Sequence, residues 1–196
     1  MAALALTFDD GPDRRWTPRV LDALAAEGAH ATFFVIAARA AAEPAVVARA
    51  VAEGHRVELH CDEHVRHSAR DRAWAAFDAD VALARLSALG IRPRLWRTPW
   101  GDRAEWSAEL AAERGLRLVD WSADTHDWRG DDAAAMLDAT AARLHDGAVV
   151  LCHDGLGPGA RRADCAETVA FVHRAAAFAR GRGLALAPLA DDGSVG

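Results

Sequence analysis

Short apolar runs alternate with stretches of helical spacing along the whole of this chain, and that rhythm constrains its fold more than any other feature. "ALALTF" near the start reads as a buried strand, and "TPRVLDALAAEG" as a helix with Thr17 as N-cap, Pro18 in the first turn and Gly28 at its end. "HATFFVI" is a second strand, followed by a helix over Pro44–Glu53, and "RVELH" is a third. Residues 68–89 read as a helix with Trp74, Phe77, Val81 and Leu89 among its buried positions. "RLWRT", "LRLVDWSA", "AVVLCH" and "LALAP" supply further strands, separated by helices over Trp106–Arg114, Asp132–His145 and Asp164–Arg180. About seven such strand–helix steps, with no long linker, predict parallel strands with helices outside, as a barrel or a doubly wound sheet. The expectation is one domain over 1–196, since 196 residues suffice for a single sizeable core.

In parallel α/β folds chemistry gathers beyond the carboxyl ends of the strands. Asp9 and Asp10 lie there after the first strand, and His60 and His64 after the third. Arg97 and Trp100 follow the fourth, Asp124, Asp127 and Trp128 the fifth, and His153 and Asp154 the sixth. Nearly every strand delivers an ionisable group to the same rim, at a desolvation cost that stability alone does not justify.

His60 and His64 in "HCDEH" stand four apart, a spacing that on a helical turn puts both imidazoles on one face. A carboxylate from the first strand completes a two-histidine, one-carboxylate set, which leaves coordination positions open for water and substrate. Taken alone, "DDGP" is an ordinary turn sequence. Beside two histidines, its paired carboxylates can divide labour, one holding a cation and the other taking a proton from water that the cation acidifies. His67 reads as a solvated or supporting residue.

The net charge of −6 argues against nucleic acid as a partner, and no apolar run is long enough to span a bilayer. Only eight residues precede Asp9, too few for a signal peptide, so the expected location is cytoplasmic. Cys61, Cys152 and Cys165 form no disulfide pattern, which agrees with that expectation. All the positive charge is arginine, and Lys, Asn, Gln and Tyr are missing, a bias that carries no functional meaning.

"TFDDGP", "HCDEH", "RTPW", "DTHDW" and "LCH" follow the order and rough spacing of five motifs, and in this the chain resembles the polysaccharide deacetylases, the NodB-like proteins of carbohydrate esterase family 4. The resemblance runs from about residue 4 to 155. It implies a distorted (β/α)7 barrel and metal-dependent hydrolysis of an N-acetyl group. Position by position, it implies Asp9 as catalytic base and Asp10, His60 and His64 as metal ligands. It makes Arg97 the partner of the base, His153 the general acid and Asp127 the carboxylate that orients that acid. The backbone N–H of Trp100 would face the oxyanion, and Trp128 and Leu151 would wall the acyl methyl. The metal would be divalent, with Zn²⁺ suited to the set and Co²⁺ or Ni²⁺ fitting the same donors.

Three positions depart from the family's usual pattern: Cys61 stands where Ser or Thr is common, Leu59 where a small or amide residue is common, and Trp100 where Tyr is common. None removes a catalytic group. His126 and Asp124 each read equally well as substrate contacts or as ordinary loop and capping residues. "GLGPGARR", after His153, reads as a mobile rim loop whose arginines could meet an anionic substrate. The expected substrate is a small soluble N-acylated compound, such as an amino sugar or short oligosaccharide. Hydrolysis of a non-sugar amide or cyclic imide is the alternative, and a carbohydrate-binding module without activity is a third.

Overall fold

The strand–helix rhythm is realised in the computed structural model, which describes residues 2–196. The strands are β1 (Ala3–Asp9), β2 (Thr32–Ile36), β3 (Arg56–Cys61), β4 (Leu95–Trp96), β5 (Arg117–Leu118), β6 (Ala123–Asp124), β7 (Val149–His153) and β8 (Ala185–Leu186). The helices are α1 (Trp16–Ala26), α2 (Ala37–Ala42), α3 (Pro44–Ala52), α4 (Arg72–Ala88), α5 (Ser107–Glu113), α6 (Ala133–Thr140) and α7 (Ala166–Gly181). All neighbouring strands pair in parallel, in the order β5-β4-β3-β2-β1-β7-β6, with β8 beside the start of β1.

The sheet curls into the distorted barrel that the motifs imply, but it stays open along one seam. β5 and β6 are consecutive in the chain and lie at opposite ends of the strand order. "LRLVDWSA", expected as one strand, is therefore two. Val119 N–H still reaches Trp96 O on the β4 side, and Ser122 N–H reaches Val149 O on the β7 side, so Asp120 and Trp121 alone cross the gap. Arg97 fastens the crossing by donating to the carbonyls of Val119 and Asp120.

Side-chain alternation sorts each strand into two faces. Leu4, Leu6 and Phe8 of β1 pack outward with Phe33, Leu59, Trp96 and Val150 against the helices. Ala5, Phe34, Leu95 and Val119 point inward, where Leu189 closes the bottom of the barrel. Burying each large outward side chain contributes about 2 kcal/mol. The next inward residues up β1, Thr7 and Asp9, are polar, so the barrel interior is apolar at its base and ionic at its rim.

Three local expectations need correction. Thr17 lies inside α1 rather than capping it; Asp13 leads into the helix, its Oδ1 accepting from the N–H groups of Arg15 and Trp16. α4 begins at Arg72, and its buried face is Ala75, Asp78, Ala79, Ala82 and Leu86, while Phe77 is 70% exposed. Small residues let that stripe approach the neighbouring elements closely, and Asp78 accepts the N–H groups of Asp62 and Glu63, so the aromatic stripe is turned aside. α6 stops at Thr140, with Asp132 as its N-cap, and continues only as a short 3-10 turn. Among the described residues no helix is long and apolar enough to cross a membrane.

Candidate active site

Adjacent residues of a strand point to opposite faces, so two consecutive aspartates should not share a cavity. Asp9 obeys the alternation and points inward from the end of β1, where Arg97 Nη1 donates to its Oδ1 at 2.9 Å. Asp10 escapes it because its backbone is left-handed, with φ 72°. That turn brings the second carboxylate to the same rim, with its Oδ1 3.0 Å from His64 Nε2 and 3.4 Å from His60 Nε2.

His60 and His64 are not on a helix. His60 is in β3, and His64 follows a bend after the strand. The bend is held by Asp78, which takes up the backbone N–H groups of Asp62 and Glu63, a support that no hydroxyl at position 61 needs to supply. Cys61 is buried, its thiol is pushed well up by burial, and its sulfur is not among the converging donor atoms.

Asp10, His60 and His64 each offer one ligand atom, and these lie within 4.8 Å of one another. His60 Nδ1 donates to the carbonyl of Arg97 at 2.7 Å, which leaves Nε2 with its lone pair turned to the cluster. Asp10 Oδ1 is buried and accepts no hydrogen bond. Burial opposes ionisation of Asp10, but the two histidines carry its carboxyl well below the usual range. An orphaned carboxylate oxygen beside two imidazoles fits a divalent cation.

Across the rim, His153 ends β7, in register with Asp9. Its Nδ1 meets Asp127 Oδ1 at 2.7 Å, and its backbone N–H donates to Asp127 Oδ2 at 2.9 Å. Arg162 and Thr168 also donate to Oδ2, so this fully buried carboxylate is saturated with donors. Burial works against both charges. The Asp127 carboxylate still lifts His153 to about 9, and His153 and Arg162 still pull Asp127 down to about 2.

These groups face a cavity of about 360 Å³, which Trp100, Trp128 and Leu151 also line. Trp100 is left-handed at φ 57°, packs edge-on to His64 with ring centroids 4.2 Å apart, and carries Arg66 over its ring. All ten residues singled out from the sequence thus converge, except that Arg97 and Asp127 act from behind Asp9 and His153 rather than lining the cavity.

Other residues differ from expectation or went unnoticed. His67 is neither solvated nor at the site. It is buried between Trp96 and Trp106, bonded to Ser107 Oγ, and burial lowers it to about 4. Asp124 lines the cavity, whereas His126 pairs with Asp124 beside it. The glycine loop does form the rim, but Arg162 turns inward onto Asp127, and only Arg161 is exposed. Trp121 lines the cavity because it sits in the open seam, a position that no local pattern reveals. Asp154 is buried, bonded to Thr17, and raised to about 7 by burial and the nearby aspartates.

Comparison with known proteins places the chain in a family. The family model for polysaccharide deacetylase matches residues 2–119. A chitooligosaccharide deacetylase of Sinorhizobium fredii is 39% identical over 156 residues, 78% of this chain and 72% of that protein. A peptidoglycan-N-acetylglucosamine deacetylase of Bacillus cereus is 33% identical over 159 residues, 80% of this chain but 57% of its own length. Among solved structures, a family 4 carbohydrate esterase from Streptomyces lividans in complex with acetate superposes with a TM-score of 0.89 at 29% identity, covering 100% of this chain and 97% of that one. The chain belongs to the polysaccharide deacetylase family. It is accordingly an enzyme of the deacetylase class, a hydrolase of carbon–nitrogen bonds other than peptide bonds.

Proposed function

We propose that this protein is a metal-dependent deacetylase that removes an N-acetyl or similar N-acyl group from an amino sugar or short oligosaccharide, with residues 1–196 acting as one catalytic domain. The observation that carries the reading is the division of the paired aspartates: Asp10 turns to two imidazoles, while Asp9 stays with Arg97. Asp10, His60 and His64 hold the cation, for which Zn²⁺ suits the donor set and Co²⁺ or Ni²⁺ also fit. When bound, the cation polarises the acyl carbonyl and acidifies the attacking water.

The chain's own residues do the rest. Asp9 takes the proton from that water, oriented by the single bond from Arg97 Nη1. The backbone N–H of Trp100 stabilises the oxyanion. His153, kept protonated by Asp127, gives its proton to the departing nitrogen, which is a poor leaving group without it. Trp128 and Leu151 supply apolar surface for the acyl methyl and exclude water there. A cavity of about 360 Å³ rimmed by tryptophan suits a sugar ring with its apolar face against an indole. The names of the rhizobial and Bacillus relatives point to N-acetylglucosamine-containing substrates.

The test is acetate release from N-acetylated amino sugars and chitooligosaccharides by metal-loaded protein. Asp9→Asn is expected to lower turnover by about 10²–10⁴; unchanged turnover rejects the assignment. Efficient action on insoluble chitin or peptidoglycan, with none on small compounds, rejects the small-substrate reading.

A further inference from the structure

Asp10 is gripped on the side that faces away from the two histidines. The wall there is the glycine loop after β7, and its approach is closer than any side chain allows. A Cβ placed on Gly157 lies 2.0 Å from Asp10 Oδ2, and one on Gly155 lies 2.8 Å from the Asp10 carbonyl oxygen. Backbone is therefore packed directly on the carboxylate and on the peptide of the same residue.

One guanidinium joins these two pieces. Arg39, in the first turn of α2, donates from Nη1 to the Asp10 carbonyl at 2.8 Å and from Nη2 to the Leu156 carbonyl at 3.0 Å. The far end of the loop is tied by Arg162, whose Nη2 reaches the carbonyls of His153 and Gly155. Asp10 itself has a left-handed backbone, which a non-glycine residue adopts only when its surroundings over-determine it. Its Oδ1 remains buried and without a hydrogen-bond partner.

We propose that Arg39 is a positioning residue for the metal ligand Asp10: by bridging the Asp10 and Leu156 carbonyls it holds the left-handed turn and presses the glycine loop onto Oδ2, leaving Oδ1 alone to face His60 and His64. The planar fork is what the task requires, because two separate carbonyls must be bonded at once from one rigid group. Lysine keeps the charge but has no rigid fork to hold both carbonyls at fixed separation. A glycine loop serves because any Cβ at Gly157 forces the carboxylate aside. This inference rests on the reading of Asp10, His60 and His64 as cation ligands, and not on the identity of the substrate.

The test compares wild type, Arg39→Met, Arg39→Lys and Gly157→Ala, each stripped of metal and checked for folding by circular dichroism and thermal melting. Zn²⁺ and Co²⁺ affinities are then measured by competition with a chromophoric chelator, and the visible absorption of the Co²⁺ forms is recorded. Loss of an outer support typically weakens metal binding about 10–100-fold. That loss is expected for Arg39→Met and Gly157→Ala, with an altered Co²⁺ spectrum and an apo melting point near that of wild type. Arg39→Lys is expected to fall between Arg39→Met and wild type. Wild-type affinity and spectrum in Arg39→Met overturn the proposal. If that variant does not fold, wild-type affinity in both Arg39→Lys and Gly157→Ala overturns it. A wild-type protein that binds neither ion stoichiometrically overturns the metal centre itself and this inference with it, whereas normal wild-type binding with unaffected variants overturns the Arg39 assignment alone.

Discussion

Asp127 and His153 are joined twice: one carboxylate oxygen meets the ring Nδ1 at 2.7 Å and the other accepts the backbone N–H of the same histidine at 2.9 Å. Ring and backbone are fixed by one group: the backbone bond anchors the carboxylate, and the imidazole cannot swing without giving up the ring bond. The carboxylate also outweighs burial and lifts the ring to about 9, so His153 stands protonated at neutral pH, as the proposed general acid requires. An acid of this kind works below its pKa and fails as the pH rises through it.

Asp127→Asn should therefore move the alkaline limb of the kcat/KM profile down from about 9 toward the ordinary histidine value of about 6.5. At pH 7 the shift alone leaves about a quarter of His153 protonated, so turnover there should fall about 4-fold or more. The measurement is a pH–rate profile of acetate release on both proteins. An alkaline limb that stays where it was would remove Asp127 from the role of tuning the acid.

Arg162 predicts a different outcome from its neighbour. Its side chain is 7% exposed, and it donates to Asp127 Oδ2, Thr168 Oγ1 and two backbone carbonyls. Arg162→Met takes one charged donor from a buried carboxylate that keeps His153 and Thr168, and should cost about 1–3 kcal/mol of stability. Arg161 is exposed, with its guanidinium 5.9 Å from the Trp128 ring, and Arg161→Met should stay within about 0.5 kcal/mol. Urea unfolding of both variants at neutral pH separates the two roles, and equal losses would contradict the inward assignment of Arg162.

That contrast shows where the sequence stops being legible. The ionic rim could be read because parallel strands end on one side, so polar residues at strand ends must meet whatever the curvature of the sheet. Asp9, Asp10, His60, His64 and His153 are of this kind. Arg162 and Trp121 could not be read that way. Arg162 finds its partner only after a loop folds back, and Trp121 faces the cavity only because the sheet fails to close between β5 and β6. Burial was misjudged for a related reason. Trp74 and Phe77 form the more apolar stripe of α4, yet the alanine face turns inward because it carries Asp78, whose partners are the N–H groups of Asp62 and Glu63 between the two histidines. Hydrophobicity ranks the faces of a helix, but a specific polar partner can overrule the ranking.

Metal binding should register in stability as well as in activity. A cation that binds the native chain at 1,000 times its dissociation constant stabilises it by about 4 kcal/mol. For a chain of this size that corresponds to a rise of roughly 10 °C in Tm. Chelator should reverse the rise and abolish acetate release, and added Zn²⁺ should restore both. His64→Ala removes one of the three proposed ligands and should lose most of the Zn²⁺-dependent rise. Calorimetric scans with and without chelator check this; a metal-independent Tm in wild type would count against the site.

Two buried histidines give the fold an acid limit apart from catalysis. The unprotonated Nδ1 of His55 accepts the N–H of Ala31, and burial, aided by the neighbouring His30, lowers its pKa to about 4 against the opposing pull of Glu53. His67, between two tryptophans, is lowered to about 4 by burial despite the nearby Asp102. Between about 6.5 and 4 the unfolded chain binds protons that these native rings refuse, so stability must fall as the pH drops through that window. A displacement from 6.5 to about 4 corresponds to at most about 3 kcal/mol for each ring. His153 has the opposite sign: its contribution is fully present below about 6.5 and is lost as the pH rises toward 9. The metal-free protein should therefore be most stable near pH 6.5; on the acid side Asp154, raised to about 7, gains its proton more readily in the native chain and offsets part of the loss from the two rings. Urea unfolding in chelator at pH 4.5, 6.5 and 8.5 gives the three points. Replacing His67 by Phe, which keeps a ring between the tryptophans, should shallow the acid limb, and an acid limb of unchanged slope would show that His67 does not set it.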